Sequence, residues 1–513
     1  MRITNTMITN NTKSNINSNK LLVDKYNTQM TTQKKIAKAS ENPVIAIRSL
    51  RLSTTLSHIN QYVNNNIPDA SAWMDVTETA LTNMKDLLTD IRTYCVNGST
   101  DTLNTEDRQT ILEGLTALAD QVYTEGNADY AGKTVFTGYR TSSNLTFEEE
   151  ELETEYQIKQ SFDFDDLAEK RYYTGDVVVP EAITVNTTEC VEKIEENTYE
   201  RIRLAYNGDT ELVNFSYTIG GNKTTLIETD ENGVTTNNGV KIFESETAWE
   251  DPTAVPPQNG TKTVGPNEIV YIKETGEFIF GKEIANQISD GKATLDVEYT
   301  KKGFGEGELR PEYYYDCKDI TDDKEVNHVT YTKQNQEIHY TIANNTNITI
   351  NTQADEVFDS NIKRDVDELI NVVQKAIDAN AKVAKITNMM GEAQYQDNAS
   401  QEMLKGYLDA AQKEADYADD NLQKTYEQYI TRFDKYLEST NIAITNVGSV
   451  KNSLNLTQTR VENQQMTIEE LKSDNEDRDI SDIIIDYYAS YNAYQSSLTA
   501  AGKLGQSSLL DYI

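Results

Sequence analysis

From Ile480 onward, apolar residues recur at alternating steps of four and three, at Ile480, Ile484, Tyr487, Tyr491, Tyr494, Leu498 and Ala501. That spacing places one narrow stripe along a helix, as in a coiled-coil seam. Asp474, Glu476, Asp477 and Asp479 precede it, and acidic residues are favoured at a helix N-terminus. The stripe loosens at Gly502 and Gly505, and the chain closes on Leu509, Leu510, Tyr512 and Ile513. A stripe this narrow needs a partner helix. Ile16, Val23, Tyr26 and Met30 offer one on a three-four register, with the polar Asn19 filling one position. The pattern therefore predicts that the two chain ends pair, although termini commonly fray.

The rest of the chain divides by period. Residues 15–39 read as a first helix, and Ser40 or Asn42 can cap a second one that begins near Pro43. A three-four register then runs through Leu52, Leu56, Ile59, Val63, Ala70, Trp73, Ala80, Met84, Leu87, Ile91 and Tyr94. Pro68 is expected to kink or break it, and Asn97-Gly98 to end it. A third helix starts at Asn104 or Thr105, with Leu112, Leu115, Ala119 and Val122 as its stripe. From about 141 to 355 the period becomes two. Ile202, Leu204 and Tyr206, then Asn207-Gly208, then Val213, Phe215, Tyr217 and Ile219 read as a hairpin. Helical spacing returns at Ile362, Val366, Leu369, Val373 and Ile377. It continues through Leu404 to Leu437 and through a last register from Val447 to Leu471.

The expected fold class is mainly α: a long-helix coiled-coil bundle made from both chain ends, with an inserted β-rich domain. Three parts are expected. Residues 1–43 and 475–513 form a paired terminal coiled coil, 44–140 and 356–474 a helical bundle, and 141–355 an inserted variable domain.

Charge narrows the function. Lys and Arg number 47 against 84 Asp and Glu, a net of −37, which opposes binding to nucleic acid or to an anionic membrane. No run of ~18 apolar residues is present to insert in a membrane. The Asn- and Thr-rich start has no apolar run of a cleaved signal peptide. Cys95, Cys190 and Cys317 are far apart and odd in number, so neither a disulfide framework nor a metal site is expected. His58, His328 and His339 make no HExxH motif, and nucleotide and nucleophile-elbow motifs are missing. No catalytic residue and no cofactor are expected. Trp249, Tyr313, Tyr314 and Tyr315 leave open a second class, a carbohydrate-binding module in the insertion on a helical stalk.

Several strings carry a family likeness. They are Met1-Arg2-Ile3-Thr4 through Lys38-Ala39-Ser40-Glu41-Asn42-Pro43, Gly132-Lys133-Thr134-Val135-Phe136-Thr137-Gly138, and Thr349-Ile350-Asn351-Thr352 with Asp355-Glu356-Val357-Phe358. At the C-terminal end they are Ser473 through Ile480 and Ser497 through Ile513. In this order they resemble the flagellin superfamily, over roughly residues 1–140 and 350–513. The resemblance implies a structural subunit of the bacterial flagellum, extracellular and exported without a cleaved signal. It implies a place at the hook-filament junction, with hook-associated protein 1 and flagellin as neighbours, a flagellar export chaperone and export apparatus as transient partners, and self-association. Flagellin itself is the alternative within the superfamily. The assembly residues expected are Ile16, Val23, Tyr26, Met30, Ile480, Ile484, Tyr487, Tyr491, Tyr494, Leu498, Leu509, Leu510 and Ile513.

Overall fold

The computed structural model describes residues 5–100, 103–174, 177–183, 187, 195–230, 234–246, 248–249, 262–322 and 324–506. The chain is mainly α, with long helices at both ends and a β-rich region inserted between them. The helices are α1 (Asn5–Thr32), α2 (Pro43–Gln61), α3 (Ile67–Gly98), α4 (Thr105–Ala119), α5 (Lys282–Asp290), α6 (Asn361–Gly391), α7 (Asn398–Glu476) and α8 (Ile480–Gln506). Two compact units are formed, one from residues 1–71, 339–348 and 450–513, the other from 72–338 and 349–449.

In the first unit α2 starts as its sequence dictates. Asn42 Oδ1 accepts from the backbone N–H of Val44 at 3.1 Å and of Ile45 at 3.3 Å, and Pro43 occupies the first turn. Pro68 does not break the helix. A π-helical turn at Tyr62–Asn66 joins α2 to α3 directly. One extra residue in a turn can absorb what proline removes from the hydrogen-bond ladder. Asn66 Nδ2 donates to the Thr341 carbonyl at 2.7 Å, in the hairpin formed by His339–Ala343 and Thr346–Thr349. Ile59, Ala343 and Val461 form the core there, with Tyr62, Val63 and Ile468 against it.

In the second unit the predicted stripes are the core. Leu112, Leu115, Ala119, Val122, Ile362, Val366, Leu369, Val373 and Ile377 are all buried. A seven-stranded antiparallel sheet runs in the order Val329–Tyr331, Asp316–Asp319, Glu151–Asp163, Thr294–Phe304, Thr210–Ile219, Asn222–Thr229, Thr235–Asn237. A five-stranded sheet runs Ala168–Thr174, Glu195–Arg203, Glu277–Phe280, Ile269–Ile272, Val240–Phe243, with only the last pair parallel. The hairpin expected across Asn207-Gly208 is not formed, because the strands on its two sides belong to different sheets. Leu204 N–H donates to the Gly276 carbonyl and Gly208 N–H to the Lys273 carbonyl, so the chain crosses between sheets at this turn. Alternation shows that both segments are strands, but it does not say which strand each one pairs with.

Strands of the insertion and helices of the bundle share buried charge. Glu368 on α6 accepts from Arg201 at 2.7 Å, Arg203 at 3.0 Å, Lys170 at 3.1 Å and the Tyr429 hydroxyl at 2.7 Å. Asp365, fully buried one turn earlier, pairs with Arg203 and with Arg432 at 2.9 Å, and accepts from the Tyr436 hydroxyl at 2.7 Å. Glu277 takes Lys170 at 2.8 Å, Arg201, and the Tyr172 hydroxyl at 2.8 Å. Burial alone would push the Glu368 carboxyl up. Arg201, Lys170 and Arg203 reverse this and hold it well below the usual carboxylate range.

Candidate assembly interface

The terminal helices pair antiparallel. Asn19 Nδ2 on α1 donates to Ser497 Oγ on α8 at 2.6 Å. Nearer the other end, Arg478, just before α8, donates to Gln29 Oε1 at 2.9 Å and stands 5.5 Å over the Tyr26 ring. Ile16, Asn19, Val23, Tyr26 and Met30 are half-buried along one side of α1, and Gln29 is buried. The side chain of Asn19, the polar residue that fills one position of the register, is thus a cross-helix donor.

On α8 the seam is rotated from its sequence reading by about one position. Ile483 is the fully buried residue (0% exposed), and Tyr487, Ser490, Tyr494, Ser497 and Ala501 continue its stripe in half-buried positions. Tyr487, Tyr494 and Ala501 belong to both readings. Ile480, Ile484, Tyr491 and Leu498 were expected to face α1, and they lie exposed with Ile485 and Tyr488. The reason is size and pairing. Ser490, Ser497 and Ala501 are small enough for close helix approach, and Ser497 supplies the acceptor for Asn19. A register read from apolar residues alone favours the greasier side. Tyr487 and Tyr491 stack with ring centroids 6.0 Å apart. Leu509, Leu510 and Ile513 lie outside the described residues.

The pair is tied down at one end by its two connectors. Gln33 adopts a left-handed conformation (φ +57°), and its carbonyl accepts from Arg478 N–H at 3.0 Å. Lys34 bridges Asp477 through the backbone, and its ammonium reaches Asp477 at 2.5 Å and Glu476 at 3.1 Å. Glu476 also accepts from Ser49. The hydrogen bond from Lys34, then that from Ser473, holds the Asp477 carboxyl below its ordinary range. Asp479 caps α8, accepting from Ser481 N–H at 2.6 Å.

The aromatics that leave sugar stacking open make internal contacts, Tyr313 donating its hydroxyl to the Ser143 carbonyl at 3.4 Å. Trp249 is buried edge-on against Tyr172, with centroids 5.2 Å apart. Tyr314 is buried, and the Tyr315 hydroxyl shares a hydrogen bond with Ser360 at 2.7 Å. Among the described residues no group of three or more His, Cys, Asp or Glu is placed to hold a metal ion. Within the same residues, no helix is long and apolar enough to cross a membrane.

The sequence profile of the bacterial flagellin N-terminal helical region matches residues 3–141. This part of the chain is similar to that flagellin region. The matched segment holds α1 to α4, including the α1 seam and the Lys34 connector. The flagellar hook-associated protein 3 of Escherichia coli (strain K12) is 27% identical over 120 residues, 23% of this chain and 38% of that protein. The chain therefore aligns with well under two thirds of that relative. Among solved structures, the flagellar hook-associated protein 3 of Legionella pneumophila is 10% identical, covering 82% of this chain and 96% of that one, with a TM-score of 0.29. FlgL of Xanthomonas campestris is 9% identical over 82% of this chain and 99% of its own, with a TM-score of 0.30.

Proposed function

We propose that the chain is a structural subunit of the bacterial flagellum that joins hook-associated protein 1 to the flagellin filament at the hook-filament junction. It is exported by the flagellar system and works outside the cell, with no catalytic step. The flagellin-type N-terminal region and the likeness to a hook-associated protein 3 support the flagellar role. The observation that carries assembly is the bare outer side of the α1–α8 pair. Ile480, Ile484, Ile485, Tyr488, Tyr491 and Leu498 on α8, and Leu21 and Leu22 on α1, are exposed. A fully buried aliphatic side chain gains roughly 1.5–3 kcal/mol, so neighbouring subunits that cover this side gain what the single chain forgoes. Ile16, Val23, Tyr26, Met30, Tyr487 and Tyr494 form the inner seam that presents it, and Leu509, Leu510 and Ile513 are proposed to extend it.

Immunogold labelling of intact cells tests the placement. A band at the hook-filament boundary is expected. Label along the whole filament would instead make the chain a flagellin.

A further inference from the structure

Charge is segregated inside this acidic protein. Residues 1–68 hold nine Lys or Arg against two Asp or Glu, while residues 450–513 hold five against ten. Part of the N-terminal charge is used internally, as at Lys34. The rest lies open. On the outer side of α2, Arg48 and Arg51 are exposed and have no ion pair among the described residues. Around them Val44, Ile47 and Leu50 are 67%, 55% and 70% exposed, and Lys38 is exposed just before the helix. Val44, Ile47, Arg48 and Arg51 stand at i, i+3, i+4 and i+7, so they share one helix face. The opposite side of α2 is already taken: Asn475 Nδ2 donates to the Ile45 carbonyl at 3.1 Å, and Gln465 Nε2 to Asn60 Oδ1 at 2.9 Å.

We infer that this basic, aliphatic face of α2 docks on the acidic outer stripe of α7 in a second copy of the chain. The stripe is Met466, Glu469, Glu470 and Asp474, at i, i+3, i+4 and i+8, all exposed. It offers three carboxylates and one apolar side chain to a face of two guanidinium groups and two aliphatics, with Leu50 exposed beside it. The inference rests on the self-association proposed above and names the chemistry of one contact. The two surfaces differ, so the contact is head-to-tail and does not use itself up in a dimer. Charge decides between occupants. At a net of −37 the whole molecule is repelled by an anionic membrane, whereas a second copy brings the acidic surface the face lacks.

The test uses the full chain with two charge reversals, Arg48→Glu/Arg51→Glu and Glu470→Arg/Asp474→Arg. Association is followed by sedimentation at low and high salt. All four side chains are exposed, and unchanged circular dichroism and melting establish that each variant folds. Each variant alone should associate about tenfold more weakly than the parent at low salt, and an equimolar mixture of the two should recover association. The parent should weaken as salt shortens the screening length to about 10 Å and below. Equal association of parent and Arg48→Glu/Arg51→Glu would overturn the contact while leaving self-association standing. Loss in both variants without recovery on mixing would overturn the pairing of these two faces. Arginine-dependent binding to phosphatidylglycerol vesicles, with association unchanged, would assign the face to a membrane instead. A parent that stays monomeric at every concentration and salt would remove the self-association reading itself, and this contact with it.

Discussion

Lys34 Nζ lies 2.5 Å from Asp477 Oδ1, joining the turn after α1 to the break between α7 and α8 across almost the whole length of the sequence. The pair does locally what the seam does along the helices. It holds the two chain ends together where α1 ends and α8 begins. Its hydrogen bond raises the Lys34 ammonium above its ordinary value of 10.5 and lowers the Asp477 carboxyl from 3.8.

The first prediction is a pH dependence. Asp477 has a folded value below its unfolded one, so its contribution is present above the ordinary carboxylate range. It is lost as pH falls through the lowered folded value. Lys34 has a raised value, so its side of the pair is complete below 10.5 and lost only above it. Both side chains are more than 40% exposed, so the effect is small, about 0–1 kcal/mol. Lys34→Met should therefore cost little at pH 7, and the cost should shrink at a strongly acidic pH as the lowered Asp477 carboxyl takes up its proton. Urea denaturation of both proteins at the two pH values measures it; an equal difference at both would show that the pair does not titrate as described.

The second prediction separates the inner and outer sides of α8. Ile483→Ala should weaken the α1–α8 pairing by about 2–5 kcal/mol, the cost of emptying a buried aliphatic site. Ile484→Asp should leave the single subunit unchanged and reduce self-association. Amide hydrogen exchange on the free subunit reads the first effect in residues 5–32 and 480–506. Sedimentation reads the second. Exchange in these helices should already be faster than in 67–98, because a pair of thin stripes buries less than a bundle. If Ile484→Asp loosens the free subunit as much as Ile483→Ala does, the assignment of sides is wrong.

Glu368→Gln is the third. The substitution keeps shape but removes the charge that Arg201, Arg203 and Lys170 share. Breaking a buried ion cluster on one side leaves cations uncompensated and costs roughly 3–5 kcal/mol. The same linkage predicts loss of stability as pH drops below the ordinary glutamate range, since the folded carboxyl is held well below it. Thermal melts of parent and variant at neutral pH, and of the parent at falling pH, check both statements. A variant that melts with the parent would mean that the cluster contributes nothing net.

The fourth concerns the end of α3. A Cβ on Gly98 would clash with Cζ of the buried Tyr426 ring. Gly98→Ala should lower stability by about 1–3 kcal/mol through overpacking, and pairing it with Tyr426→Leu should recover part of the loss. A melting temperature unchanged in the single variant would show that the ring shifts freely.

Much of this was legible in the sequence, because burial imposes a period on the chain. The three-four stripes from Leu112 to Val122 and from Ile362 to Ile377 marked helices and core at once. The change to period two marked strands, and the Asn42-Pro43 pair marked a helix start by local hydrogen bonding alone. Periodicity also located the two terminal helices and the need for each to find a partner.

Tertiary structure decided what period leaves degenerate. Ile483, Ile484 and Ile485 are three adjacent aliphatics, and only the approach of α1, with Asn19 meeting Ser497, selected Ile483 as the buried one. Strands around Asn207-Gly208 alternate identically whether they pair with each other or with distant strands, and the sheets chose distant ones. The cluster of Arg201, Arg203, Glu277, Asp365 and Glu368 leaves no local trace, since charged residues in sequence look solvated wherever they stand. Their burial depends on partners brought from far along the chain, and it is the fold alone that makes those partners neighbours.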